Sequence, residues 1–226
     1  MNKKVIAIFG GSFNPPINSH ITFAKQIIEK CSNVEKLIFV PVSTKYQKSK
    51  LASDEHRYNM LKIICENEDK LEASNIELIQ ERQLYTIETL DLLNEQYGER
   101  YEMWFVMGTD NLKEIETWRE SERLLEEYKI LVLERENDKL ENIIKDSKLL
   151  TKYKDSLIKI DGIDKIFLSS TMIRDKIKNG EDVEEFIDED VFEYIKENKL
   201  YLWETACSLY GCVKWEVWSE RCEVRN

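Results

Sequence analysis

Short apolar runs alternate with longer amphipathic stretches along this chain, with no internal repeat and no low-complexity linker. Val5-Ile6-Ala7-Ile8-Phe9 is apolar throughout, as a strand buried on both faces of a parallel sheet must be. After a turn at Gly10 and Gly11, Ile21, Ala24, Ile27 and Ile28 fall on one stripe of a helix, for which Asn18 or Ser19 is the natural cap. Lys36 to Val40 predicts the second strand, ended by Pro41. Ser53 then caps a helix with Asp54 and Glu55 in its first turn and Met60, Leu61 and Ile64 on its buried side. Ile76 to Ile79 reads as a weaker strand. The following helix begins near Tyr85 and Thr86, buries Ile87, Leu90 and Leu93, and stops at Gly98. Met103 to Met107 is the clearest central strand after the first, and an acidic helical stretch containing Trp118 follows it. Ile130 to Leu133 gives a fifth strand. Glu136 to Tyr153 is charged enough for a solvated surface helix, and Lys165 to Phe167 and Leu168 form the last strand. Ser170 caps a helix that puts Ile173 and Ile177 in the core and is closed by Gly180; a final helix runs from Asp190 to Glu197. Strands alternating with helices predict an α/β fold, a Rossmann-like parallel sheet with helices on both faces.

The bulk numbers narrow this picture. A chain of 226 residues can bury a full core. The pattern places one domain at residues 1–201 and a short C-terminal appendage at 202–226, where Trp203, Trp215, Trp218, Cys207, Cys212 and Cys222 crowd together. Val213, Trp215 and Val217 alternate with Lys214 and Glu216, so the tail reads as a hairpin that packs on the domain or on a second copy of the chain. The net charge of −11 argues against binding a nucleic acid polymer or an anionic membrane, since counterion release needs clustered Lys and Arg. A small phosphorylated ligand needs only a local basic pocket. Lys3 and Lys4 precede too few apolar residues for a signal peptide, which points to the cytoplasm. Five cysteines without a CxxC, and only two histidines, suit reduced thiols better than a disulfide framework or a zinc site.

Chemistry-bearing residues cluster just after the strands: 10 to 20, 42 to 50, 85 and 86, 108 to 111, 135, and 169 to 174. A parallel sheet gathers the C-terminal ends of its strands on one edge, so these clusters are expected to meet in one crevice. Gly10-Gly11-Ser12-Phe13-Asn14-Pro15-Pro16 leads into His20 in the first turn of a helix, where free N–H groups and the helix dipole favour phosphate. The glycines would let the backbone approach that ligand closely. Ser169-Ser170-Thr171-Met172-Ile173-Arg174 is a hydroxyl-rich helix start with an arginine one turn in, a second place to grip phosphate.

Residues 10 to 20 resemble the signature of the nucleotidyltransferase superfamily, Gly-Gly-(Ser/Thr)-Phe-Asp-Pro followed by His-x-Gly-His, and residues 169 to 174 resemble its Ile-Ser-Ser-Thr-x-Ile-Arg. Within it the likeness is to nicotinate or nicotinamide mononucleotide adenylyltransferases. The resemblance covers roughly residues 3 to 201 and implies ATP contacts from Gly10, Gly11, Ser12, Phe13, His20, Arg135, Ser169, Ser170, Thr171 and Arg174. It implies contacts to a pyridine mononucleotide from Asn14, Tyr85, Thr86, Gly108, Asp110 and Trp118, with Trp118 stacking on the pyridine ring. His20, Lys48 and Arg174 take the catalytic positions, and Mg²⁺ is carried mainly by the ATP phosphates with no protein metal site. Departures are Asn14 for the usual Asp, Ile17 for the first histidine, Ser19 for Gly, and Glu136-Asn137 for the Pro-Gly after Arg135. His56 and Arg57 resemble the family's Glu-His-Arg, with surface packing the expected role of His56.

The implied reaction is adenylyl transfer from ATP to nicotinate mononucleotide, giving deamido-NAD and pyrophosphate. Alternatives are another acceptor, such as nicotinamide mononucleotide, flavin mononucleotide or phosphopantetheine, and a catalytically silent nucleotide-binding module. Losing the donor that Ile17 replaces would lower a rate by roughly 10² to 10³, impairing an enzyme without abolishing it.

Overall fold

The computed structural model describes residues 3–45, 51–134, 138–160, 162 and 169–201. The predicted strand at Lys165 to Leu168 and the appendage at 202–226 lie outside them. In chain order the elements are β1 (Lys4–Gly11), α1 (Asn18–Lys30), β2 (Val34–Pro41), α2 (Asp54–Glu66), β3 (Leu71–Ala73), α3 (Thr86–Tyr97), β4 (Tyr101–Gly108), α4 (Thr109–Leu112) and α5 (Ser121–Glu127). They continue as β5 (Lys129–Leu133), α6 (Leu140–Asp146), α7 (Lys148–Lys152), β6 (Leu157–Lys159), α8 (Ser170–Asn179) and α9 (Glu189–Glu197). The strands form one sheet in the order β3-β2-β1-β4-β5-β6, and every pairing is parallel.

Alternation along β1 explains the two layers. Val5 and Ala7 face a cluster with Ala24 and Ile27 of α1, Met60 and Leu61 of α2, Ile173 of α8 and Val191 of α9. Ile6 and Ile8 face the opposite cluster, with Ile87 and Leu90 of α3, Leu124 of α5 and Ile143 of α6. Each strand residue therefore has a helix to bury against, and no polar position is tolerated between Val5 and Ile8. The order of strands reverses between β1 and β4, which opens a crevice beyond their C-terminal ends.

Four local expectations need correction. Ile76 to Ile79 is a turn, closed by Leu78 and Ile79 N–H groups donating to Asn75 O, and Ile79 is 67% exposed. The edge strand is instead β3, which pairs Leu37 with Leu71 and Phe39 with Ala73 and is too short to show periodicity. The charged stretch before Tyr153 is two helices, broken at Ser147, whose hydroxyl caps α7 by accepting from Leu150 N at 3.1 Å; Leu140, Ile143 and Leu150 are buried. Ile17, and not Asn18 or Ser19, precedes α1. Ser169 caps α8 in place of Ser170, accepting from Met172 N at 3.3 Å, which frees the Ser170 hydroxyl for another task. Gly180 closes α8 in the left-handed conformation, φ 69°, as expected of a glycine there.

The turn at 76–79 carries a buried carboxylate. Glu77 accepts a hydrogen bond from Thr89 Oγ1 at 2.8 Å, and burial pushes its pKa up to about 7. The folded state then holds a proton that the unfolded state releases near the ordinary carboxylate range, so stability falls as pH rises through 7. Glu77→Gln keeps the acceptor for Thr89 and removes the charge. Thermal unfolding should show the variant more stable than the parent at pH 8, by up to about 3 kcal/mol, and equal to it near pH 4.

Candidate active site

β1 delivers the chain to the mouth of the crevice, and the residues that follow are held by packing and by ties to their carbonyls. A Cβ on Gly11 would lie 3.0 Å from the Phe13 ring, and one on Gly10 would lie 3.3 Å from the Phe105 ring. The glycines therefore make room for aromatic rings, where the sequence pointed to the approach of a ligand. Phe13 takes φ 43°, a left-handed conformation costing a non-glycine residue about 1 kcal/mol or more. Its ring holds it there, buried edge-on to Phe9, Phe39 and His20 at centroid distances of 5.7, 5.4 and 5.2 Å.

Four carbonyls of the loop have donors from three distant parts of the chain, the end of β2, α2 and α8. Val42 N donates to Gly11 O at 3.0 Å, Arg57 Nη1 to Ser12 O at 2.9 Å, Arg174 Nη1 to Asn14 O at 2.8 Å and Ser170 Oγ to Pro15 O at 2.8 Å. The Asn14 side chain in turn accepts from Ala52 N at 2.9 Å. Arg57 is fully buried; Nε donates to Ala52 O at 3.0 Å and Nη2 to Asp54 Oδ1 at 2.5 Å. Burial lowers its pKa against the attraction of Asp54, yet a guanidinium starts so high that it stays charged. His56, its neighbour, packs against Tyr194 of α9, its Nδ1 2.9 Å from the Tyr194 hydroxyl.

His20 lies in the first turn of α1. Its Nδ1 accepts from Ile17 N at 3.1 Å, which assigns the proton of a neutral ring to Nε2. The ring borders a cavity of about 260 Å³ lined by Ser12, Phe13, Asn14, His20, Leu51, Ser170, Thr171 and Arg174. None of the described residues in that wall is a carboxylate. The first turns of α1 and α8 both face it, so two helix dipoles and a guanidinium converge there, as suits a polyanion. Arg174 Nη2 also donates to Thr171 Oγ1 at 3.1 Å, which aligns the arginine beside the hydroxyl. Among the described residues no group of three or more His, Cys, Asp or Glu could hold a metal ion. The volume is below the roughly 300–1,000 Å³ of a pocket that encloses a whole ligand, and matches a phosphate-bearing portion of one.

A second cluster lies beyond β4. Gly108 is buried at the strand end, and Asp110 of α4 is exposed. Trp118 is half-buried, its ring edge-on to Phe105 at 6.4 Å. Phe105 thus touches both clusters, since the same ring covers Gly10. Tyr85, half exposed before α3, lies beneath the Arg119 guanidinium at 5.6 Å. Glu88 accepts from Tyr85 N at 2.9 Å and pairs with both Arg82 Nη atoms at 2.8 and 2.6 Å, so Arg82 above all holds its carboxyl down at about 2. That pairing fixes the start of α3, where Thr86 is half-buried.

Residues 8–176 match the family model described as cytidylyltransferase-like. The chain is 34% identical over 204 residues to a probable nicotinate-nucleotide adenylyltransferase of Clostridium tetani, covering 89% of this chain and 100% of the relative. The chain belongs to the nicotinate-nucleotide adenylyltransferase family. A relative of the same description from Fusobacterium nucleatum is 33% identical over 192 residues, 84% of this chain and 96% of its own. Among solved structures, the Plasmodium falciparum nicotinic acid mononucleotide adenylyltransferase complexed with NaAD superposes with a TM-score of 0.70 at 26% identity, covering 88% of this chain and 97% of that one.

Set against the family's motifs, the structure brings Ser12, Phe13, Asn14, His20, Ser170, Thr171 and Arg174 around one cavity, with Ser169 as the cap beneath. Tyr85, Thr86, Gly108, Asp110 and Trp118 do not line that cavity and belong to the second cluster. Lys48 and Arg135 lie outside the described residues. Ile17 is 1% exposed and sits in the core with Phe13 and Ala24, and it is not among the described residues that line the cavity. Arg57 is the residue whose role sequence reasoning missed. The signal was an Asp at the first position of a helix with an Arg three residues on, a spacing that lets the pair meet.

Proposed function

We propose that the two clusters form one site in which nicotinate mononucleotide attacks the α-phosphorus of ATP. The products are deamido-NAD and pyrophosphate, a step in NAD biosynthesis. The observation that carries this reading is the meeting of His20 and Arg174, 154 residues apart in sequence by subtraction, on the wall of a single cavity at the switch point of the sheet. The mononucleotide 5′-phosphate supplies the attacking oxygen. A new O–Pα bond forms while the bond from Pα to the bridging oxygen of pyrophosphate breaks. A phosphate monoester with a second pKa of about 6 is already an anion near neutral pH, so no protein base has to remove a proton.

The work left to the protein is to align two polyanions and to neutralise the charge that develops on the leaving group. Arg174 pairs with phosphate oxygens through its fork, while His20 Nε2–H, the Ser170 and Thr171 side chains and the ends of α1 and α8 supply fixed donors. MgATP is the substrate form, its ion held by the phosphates. Lys48 and Arg135 add positive charge in the same role. Trp118 stacks on the pyridine ring, with Tyr85, Thr86, Gly108, Asp110 and Asn14 around the rest of the acceptor. No helix among the described residues is long and apolar enough to cross a membrane. With both described cysteines unpaired, a cytoplasmic location beside the ATP pool fits.

Pyrophosphate release with ATP, Mg²⁺ and each mononucleotide in turn tests the proposal. Turnover with nicotinate mononucleotide above that with nicotinamide mononucleotide is expected. ATP binding by calorimetry without pyrophosphate from any acceptor would overturn it in favour of a silent nucleotide-binding module. Trp118→Ala should raise KM for the mononucleotide about 10- to 100-fold, the worth of one stacked aromatic, with little change in KM for ATP.

A further inference from the structure

Nicotinate and nicotinamide mononucleotides differ at one substituent of the pyridine ring, a carboxylate against a carboxamide. Preference for the first needs positive charge beside that substituent. The start of α3 does not supply it. Glu88 accepts from Tyr85 N at 2.9 Å and sets an ionised carboxylate against the positive end of the helix, and Arg82 neutralises Glu88 through both Nη atoms. Arg123 of α5 is spent in the same way, on Asp91 at 2.9 and 3.0 Å, Glu127 at 2.9 Å and Glu120 at 3.3 Å.

Arg119 differs from both. It follows Trp118 directly, and its guanidinium carbon stands 5.6 Å from the centre of the Tyr85 ring. One side chain thus spans from the Trp118 segment to the start of α3, the two stretches assigned to the acceptor. The Arg119 side chain is 63% exposed, and the carboxylate paired with it, Glu120, stands 3.7 Å from Nε, beyond hydrogen-bond distance. Glu120 is itself shared with Arg123 Nη1. A cation over the face of a ring is held by the ring's electrons, which take up none of its N–H groups. Tyr85 is 49% exposed, so it carries the guanidinium at the surface of the acceptor cluster and not within the core.

We propose that Arg119 is the residue by which this site selects nicotinate mononucleotide, its guanidinium N–H groups pairing with the carboxylate on the pyridine ring while Trp118 stacks on the ring face. This rests on the adenylyl-transfer reading and adds to it the side chain that decides between acceptors. A guanidinium meets a carboxylate with two parallel hydrogen bonds and a full opposite charge. A carboxamide offers it one oxygen, and the NH₂ beside that oxygen cannot accept. Arg119 does not line the phosphate cavity, so its contribution falls on the acceptor and not on ATP.

The test is Arg119→Gln and Arg119→Lys in the full chain, with kcat/KM measured for each mononucleotide at saturating MgATP. Arg119 is a surface residue, so both variants should unfold within about 2 °C of the parent. In Arg119→Gln, kcat/KM for nicotinate mononucleotide should fall about 10-fold or more while that for nicotinamide mononucleotide changes less than about twofold, the expected cost of losing a charge-assisted pair. Arg119→Lys keeps the charge without the fork and should fall between. An unchanged ratio between the two acceptors in Arg119→Gln, equal losses with both included, would overturn the proposal. Should the parent release no pyrophosphate with either acceptor, the transfer reading fails separately, and calorimetry with nicotinate mononucleotide then decides. Binding about 10-fold weaker to Arg119→Gln than to the parent supports the role; equal affinity, or no binding to the parent, refutes it.

Discussion

Arg174→Ala is expected to lower kcat by about 10²- to 10³-fold, the usual cost of removing one preorganised donor from a site where negative charge develops. The residue faces the cavity and is half-exposed, so its loss to the fold is small: the tie to Asn14 O goes, and the carbonyl is left near water. One neutral-acceptor bond of this kind is worth about 1 kcal/mol, which for a chain of this size lowers Tm by roughly 2–4 °C. Arg174→Lys should recover only part of the rate, since an ammonium keeps the charge and loses the bidentate fork. Steady-state kinetics with circular dichroism on the same samples separates the two effects. A tenfold or smaller loss in the alanine variant, with its fold intact, would show that the phosphates are gripped elsewhere.

Arg57→Leu should act the other way round, through stability first. The leucine fills much of the space and cannot donate, so Ser12 O and Ala52 O are left buried without partners and Asp54 loses its counter-charge. Each orphaned carbonyl costs about 1–3 kcal/mol, and breaking a buried pair on one side costs about 3–5 kcal/mol in all. Tm should fall by about 10 °C or more. Asp54 keeps Ser43 Oγ at 3.0 Å and Thr44 N at 2.6 Å, so Asp54→Asn should be milder than Arg57→Leu. Turnover is lost with stability here, because the loop from Ser12 to Asn14 that Arg57 fastens forms one wall of the phosphate cavity. A melting temperature unchanged from the parent would mean that the buried guanidinium is not what holds the loop.

The long central strands were legible because burial on both faces forces a continuous apolar run, and β1 and β4 show one. The edge strands β3 and β6 were not, since three paired residues leave no period to read and their partners lie elsewhere in the chain. The candidate site was legible by residue type: hydroxyls, a histidine and an arginine at helix starts carry their chemistry wherever the fold puts them. Their detailed work was not. Ser169 and Ser170 are neighbours with the same side chain, yet one caps α8 and the other holds Pro15 O. Gly10 and Gly11 invite the same reading in any phosphate loop, and only the positions of Phe13 and Phe105 reveal that aromatic rings claim the space.

Order along the chain, by itself, determined that strands and helices alternate, that polar clusters follow the strands, and therefore that those clusters share one edge of a parallel sheet. Local pattern suffices for this, because the period of apolar positions and the direction of each strand are properties of the chain. The tertiary structure alone decided which donor meets which carbonyl. It buried Arg57 whole beneath the loop at Ser12 and turned Ile17 into the core. Those outcomes depend on contacts between segments far apart in sequence, where a hydrogen bond a few tenths of an ångström longer would join different partners.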